Sequence, residues 1–246
     1  MKIVADLHTH TISSGHAYAT LLDYVAEAEK IGLKAFAVAD HGPAMPGGPH
    51  YYHFSNMKMI PEKINGIRVY RGSEVNLIKA DGSIDLKKPE LDVLEIVLLG
   101  MHPRCGYEDA GEKGNLRAIE KAFKKNPKIN ILAHPGNRKY PLSPKETVSL
   151  CKKYGVVVEI NNSSPTSRPG SWGICLEFAK EVKKQDWKVV LNTDAHFIHM
   201  LGRFENALEL IKKAGLSEKH VVNTSFAKID RHLLCRKNTG GDTNAG

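Results

Sequence analysis

A chain of 246 residues, 41% hydrophobic and 25% charged, is long enough to bury a substantial core and has the composition of an ordinary globular protein. No apolar run reaches the roughly 18 residues needed to span a bilayer, and the N-terminus enters a strand pattern with no signal-peptide core, so the expectation is a cytoplasmic protein without a membrane partner. The formal charge of +8 comes largely from Lys pairs on amphipathic helices spread along the chain, which suits a solvated outer ring better than a nucleic-acid groove.

The first strand covers residues 3–8, and alternation places Asp6, His8 and His10 on one face. A Ser/Gly loop at 13–16 carries His16, and helical periodicity runs over 21–31 to a stop at Gly32. The wholly apolar run 35–39 reads as a parallel strand buried on both faces, ending in Asp40-His41-Gly42. Residues 43–53 are rich in Gly and Pro and form a long loop containing His50 and His53.

A third strand at 66–71 leads to Glu74, and Asp81-Gly82 marks a turn in a small hairpin excursion. Strand four, 94–99, precedes His102. A helix over 115–125 then leads to strand five, 129–133, which ends at His134. Ser143 with Glu146 three residues on is a capping-box pattern opening a helix to about 153. Strand six, 156–160, ends at Asn161-Asn162; a helix at 173–184 follows; strand seven, 189–191, ends at Asp194 and His196. The last helix is 204–214, Val221-Val222 suggests one more short strand, and the polar stretch 236–246 reads as a disordered tail. Without a linker or repeat to divide it, the chain is expected to form one domain over 1–235.

Strands alternating with helices predict a parallel α/β protein. Polar residues follow every strand rather than one switch point, which favours a seven-stranded (β/α)7 barrel of TIM-like form over an open sheet. Around the expected mouth stand His8, His10, His16, His41, Glu74, His102, His134, Asp194 and His196. Seven imidazoles and two carboxylates gathered without a cation would be costly, and their donor set suits zinc, with manganese or iron as alternatives. The four cysteines form no close-spaced pair and are expected to be reduced.

The motifs Asp6-Leu7-His8-Thr9-His10, Ala39-Asp40-His41-Gly42, Gly72-Ser73-Glu74-Val75, His102, Ala133-His134-Pro135 and Asn192-Thr193-Asp194-Ala195-His196, in that order, resemble the polymerase and histidinol phosphatase (PHP) superfamily. With Glu159-Ile160-Asn161-Asn162-Ser163, they are most similar to its single-domain bacterial phosphatases of the YcdX type. The resemblance implies a distorted seven-stranded barrel with three metals, usually zinc. His8, His10, Glu74 and Asp194 would hold one; Glu74, His102 and His134 a second; His16, His41 and His196 the third.

Such a cluster suits hydrolysis of a small phosphomonoester by water activated between metals bridged by Glu74 and held by Asp194. Asp6 and Asp40 are expected to orient imidazoles. Arg168 is the first candidate to bind substrate phosphate, followed by Arg104 and Arg138; His50, His53 and His199 are candidate rim contacts. The alternatives are a phosphodiesterase or nuclease acting on nucleic-acid ends, and a non-catalytic metal-binding domain. Physiological substrate and oligomeric state are not legible.

Overall fold

The computed structural model describes residues 1–235; the expected disordered tail at 236–246 lies outside them. Strands β1 (Ala5–Thr9), β2 (Ala35–Val38), β3 (Lys63–Ile64), β4 (Ile67–Asn76), β5 (Ile96–Gly100), β6 (Ile131–Leu132), β7 (Val157–Asn161) and β8 (Val189–Asn192) form one sheet. Its path is β1-β2-β4-β5-β6-β7-β8 with every step parallel, and β3 adds only a short antiparallel pairing to β4. The expected seven-stranded parallel barrel is therefore present, and it is nearly closed.

Closure between β8 and β1 relies on side chains. Thr9, at the end of β1, forms a single parallel bridge with Ala195 beyond β8, and Leu7 N–H donates to Asn192 Oδ1 at 3.0 Å. Lower down, Asn223 Nδ2 donates to Ala5 O (2.8 Å) and Leu191 O (2.6 Å), while its Oδ1 accepts Leu191 N–H (3.1 Å). One amide thus substitutes for a missing ladder, because unpaired buried backbone groups are costly. The suggested strand at Val221-Val222 reduces to one bridge, Val189 with Val221, followed by the 3-10 turn that delivers Asn223.

Helices α1 (Leu21–Ile31), α4 (Gly111–Lys125), α5 (Pro144–Tyr154), α7 (Trp172–Lys184) and α8 (Glu205–Ala214) each bury one face against the sheet, and the short helices α2 (Tyr52–Asn56), α3 (Lys88–Val93), α6 (Ser164–Ser167) and α9 (Phe226–Ile229) fill the loops. Large apolar side chains such as Tyr24, Phe36, Phe54 and Phe178 fill the layer between helices and strands, whereas small residues including Ala5, Ala35, Ala37 and Ala39 line a second cluster with Leu7 and Leu98. No described helix is long and apolar enough to cross a membrane.

Two local expectations need correction. Ser143 stands at the N-cap of α5, but its hydroxyl makes no capping bond; the helix starts instead on a Pro at its first turn, which has no N–H to satisfy. A complete capping box occurs at α1, between Thr20 and Asp23. The small hairpin excursion expected after β4 is present, as one antiparallel bridge between Leu77 and Ile84. The strand before it runs on to Asn76, so Glu74 lies inside β4, not beyond its end.

Candidate metal centre

The nine histidine and carboxylate candidates converge at the C-terminal ends of the strands. Glu74 sits at the middle. Its Oε1 lies 2.7 Å from His134 Nε2 and 3.1 Å from His102 Nε2; its Oε2 lies 3.0 Å from His41 Nδ1, 3.3 Å from His8 Nε2 and 3.6 Å from His10 Nε2. Asp194 Oδ1 lies 3.1 Å from His10 Nε2 and 3.6 Å from His8 Nε2. The His16 ring is outermost, 5.1 Å from that of His41 and 5.0 Å from that of His196, measured between centroids.

Neighbouring acceptors settle which nitrogen of several rings turns inward. His8 Nδ1–H donates to Glu159 Oε1 at 2.7 Å, and His102 Nδ1–H to Asn76 Oδ1 at 2.7 Å. His196 Nδ1–H donates to Asp194 O at 2.9 Å. Ser14 gives its own proton to Asp40 Oδ1 (2.7 Å), so its oxygen accepts His10 Nδ1–H at 3.1 Å. Each bond leaves the Nε2 lone pair facing the cluster, the arrangement a metal-binding imidazole needs.

The electrostatics follow from burial opposed by neighbours. Burial alone would raise the Glu74 carboxyl, but the imidazoles, His102 foremost, hold it well below the usual carboxylate range. Asp194 is likewise held well below it, against burial, by His8 and Arg168. Burial and the nearby His41 push His10 well below an ordinary imidazole, so it is a neutral donor. Burial works against protonation of His8 too, yet Glu159, Glu74 and Asp194 outweigh it and raise the ring well above normal, so a cation bound there would take the place of the Nε2 proton. Two residues of the centre, His134 (φ 28°) and Asp194 (φ 56°), adopt left-handed backbone that side chains other than glycine rarely occupy.

Seven buried side-chain atoms among the described residues have no hydrogen-bond partner, and four of them belong to the cluster: His8 Nε2, His10 Nε2, His41 Nδ1 and Glu74 Oε2. All four face one another, and buried polar atoms are otherwise almost always paired. Three groups are compact enough to hold an ion: His8, His10 and Asp194; His41, Glu74 and His102; and His10, His41 and His196. The residues present therefore fit divalent cations, with ligands shared between groups.

Other candidates sit in several places. Arg168 Nη2 donates to Asp194 Oδ2 at 2.9 Å, Arg168 Nη1 is buried without a partner, and the side chain lines the mouth, a cavity of about 320 Å3. Arg138 lines an adjoining cavity, while Arg104 is exposed in the turn after β5 and lines neither. Asp40 reaches an imidazole of the cluster only through Ser14; it also accepts Thr11 N–H (2.6 Å) and Thr11 Oγ1–H (2.8 Å) and meets His53 Nε2 at 3.1 Å. Asp6 orients no imidazole. It accepts from Thr193 Oγ1 (2.6 Å), Thr193 N (3.1 Å) and Gly202 N (3.2 Å), because an irregularity in β1 between Asp6 and Thr9 breaks the two-residue alternation.

None of His50, His53 and His199 lines the mouth. His53 borders a larger apolar groove of about 940 Å3 beside α2, which holds none of the clustered ligands. Glu159 supports the centre without being one of the nine candidate ligands. Fully buried, it accepts His8 Nδ1–H and, through its other oxygen, His134 N–H at 2.8 Å. A carboxylate at an apolar strand's inner position was the available signal.

The PHP domain family profile matches residues 6–154. A probable phosphatase of Thermoanaerobacter sp. strain X514 is 43% identical over 238 residues, covering 96% of this chain and 97% of that protein. A probable phosphatase of Caldanaerobacter subterraneus subsp. tengcongensis is 41% identical over 247 residues, covering 100% and 97%. Among solved structures, histidinol phosphate phosphatase of Lactococcus lactis, crystallised with zinc, L-histidinol and phosphate, superposes with a TM-score of 0.62 at 18% identity, covering 87% of this chain and 94% of that one.

Proposed function

The chain belongs to the PHP domain family and is a hydrolase of the phosphatase type, and from that premise we propose that residues 1–235 form one domain that hydrolyses small phosphomonoesters at a site holding up to three divalent ions. The observation that carries this reading is the set of four buried, partnerless atoms on His8, His10, His41 and Glu74, which divalent cations would satisfy together.

His8, His10, Glu74 and Asp194 are assigned to one ion, Glu74, His102 and His134 to a second, and His16, His41 and His196 to a third. Zinc suits this donor set, and manganese or iron would also be accepted. Bound divalent ions would supply Lewis-acid activation of water and neutralise phosphate charge. The protein does the rest. Glu159, Ser14 and Asn76 hold three rings in the tautomer that presents Nε2. Asp40 anchors Ser14, so its contribution to the site is positional.

Arg168 is the hydrogen-bond donor to the substrate phosphate in this proposal. Asp194 holds one arm of its guanidinium, and the partnerless Nη1 leaves a charge-assisted hydrogen bond to be made with a phosphoryl oxygen. The test is phosphate release from p-nitrophenyl phosphate by zinc-loaded protein. Release that falls at least about a hundredfold in His41→Ala and Asp194→Asn supports the reading. Metal-retaining protein that releases no phosphate, or that prefers bis-p-nitrophenyl phosphate, overturns it.

A further inference from the structure

The mouth continues beyond the metal ligands. His102, Pro103, Ser167 and Arg168 are shared between it and a second cavity of about 310 Å3, which is completed by Arg138 and Lys139. No Asp or Glu lines this second cavity. That matters because cations elsewhere on the protein are commonly neutralised: Lys153 lies 3.0 Å from Glu120, Lys180 2.8 Å from Glu177, and Lys213 2.6 Å from Glu209. Among the described residues, neither Arg138 nor Lys139 has an ion-pair partner.

The cavity is shaped for the Arg138 guanidinium. Gly170, at φ +82°, leaves its backbone bare beneath it, and a Cβ there would stand 2.5 Å from Arg138 Nη1. Two loops thus bring Arg138 and Lys139, after β6, toward Arg168 and Gly170, after β7. Arg168, half-buried and paired through Nη2 with Asp194, stands on the wall shared with the mouth. Arg138 and Lys139 are thus two cations of one hollow without an ion-pair partner, and an anion placed between them would relieve their mutual repulsion while gaining charge-assisted hydrogen bonds.

We propose that this second cavity binds another anionic group of the substrate, so that the favoured substrates are phosphomonoesters that also carry a carboxylate or a second phosphate. The inference rests on the phosphatase reading for the scissile phosphate, which lies at the metal mouth beside Arg168. Arg138 and Lys139 then determine specificity, acting on the part of the substrate that does not react.

Phosphonates test binding apart from turnover. Zinc-loaded protein is titrated calorimetrically with ω-carboxyalkyl phosphonates of two to five carbons, each against the alkyl phosphonate of the same chain length. The expected result is a carboxylate advantage of about tenfold or more at one chain length at least. That advantage should fall to within about twofold in Arg138→Ala/Lys139→Ala, whose exposed side chains leave the fold intact. No advantage at any length in the wild type, or an advantage that survives the double substitution, overturns the proposal. Failure to hydrolyse p-nitrophenyl phosphate would overturn the phosphatase reading, while the phosphonate ratios would still decide the subsite.

Discussion

Glu159→Gln tests how the centre is held together. Glu159 accepts four hydrogen bonds: Oε1 from His8 Nδ1 (2.7 Å) and Asn192 Nδ2 (2.8 Å), Oε2 from His134 N (2.8 Å) and Asn161 Nδ2 (3.1 Å). Whichever way the glutamine amide is turned, its NH2 meets two donors. If it faces His8, the ring loses the acceptor that fixes its tautomer; if it faces His134, the strand end bearing that ligand is pushed away. Losing a partner that orients a metal-binding imidazole typically costs about 10–100-fold in metal affinity, or about 1.4–2.8 kcal/mol. The opposed buried donors would also destabilise the metal-free fold by about 1–3 kcal/mol. Zinc affinity is measured by competition with a chromophoric chelator, and metal-free stability by urea unfolding. Unchanged zinc affinity in a folded Glu159→Gln protein would refute this account of how His8 is oriented.

Other perturbations have equally definite outcomes. A Cβ on Gly100 would lie 2.3 Å from His102 Cε1 and 2.7 Å from Glu74 Oε1, so Gly100→Ala should lower bound zinc and phosphatase activity, at an overpacking cost of about 1–3 kcal/mol. Normal metal content in that variant would contradict the placement of both ligands. Asn223→Ala removes the amide that bridges β8 to β1, and urea unfolding should show a loss of about 2–4 kcal/mol. Burial pushes the Cys105 thiol up to about 11 and raises that of Cys175, so both stay protonated at pH 8. With Cys151 also buried, a thiol reagent should label only the exposed Cys235 in native protein and all four cysteines in urea; fast labelling of Cys105 at pH 8 would contradict its burial.

Much of this was legible in the sequence because parallel strands buried on both faces are written as apolar runs, and the polar residue ending each run then stands out. Residues 21–31 appear as helix α1 with the expected bounds, and six of the seven strands overlap their expected ranges closely. The exception is β4, where Gly72, Ser73 and Asn76 resemble a loop in sequence but pair with β5 in the barrel. The alternation argument failed at Asp6 for a physical reason, since the irregularity in β1 depends on pairing with β2 and leaves no mark on the local sequence. Ser14, Asn76 and Asn192 were illegible as supports because a small polar residue near a strand end has many uses, and its partner lies far along the chain. Arg138 was legible as a phosphate candidate from its place after His134, but that it and Lys139 stand without ion pairs was not, since the chain has 35 Lys and Arg residues and only geometry separates the paired from the unpaired.

The central claim is that this ring of histidines and carboxylates is a multinuclear metal centre. Anomalous diffraction at the zinc, iron and manganese edges, from crystals of protein purified without added metal, tests it most directly. The account predicts up to three peaks enclosed by His8, His10, Glu74, Asp194, His102, His134, His16, His41 and His196, and loss of phosphatase activity when chelation removes them. A centre without anomalous signal in a protein that keeps its activity after chelation would contradict it.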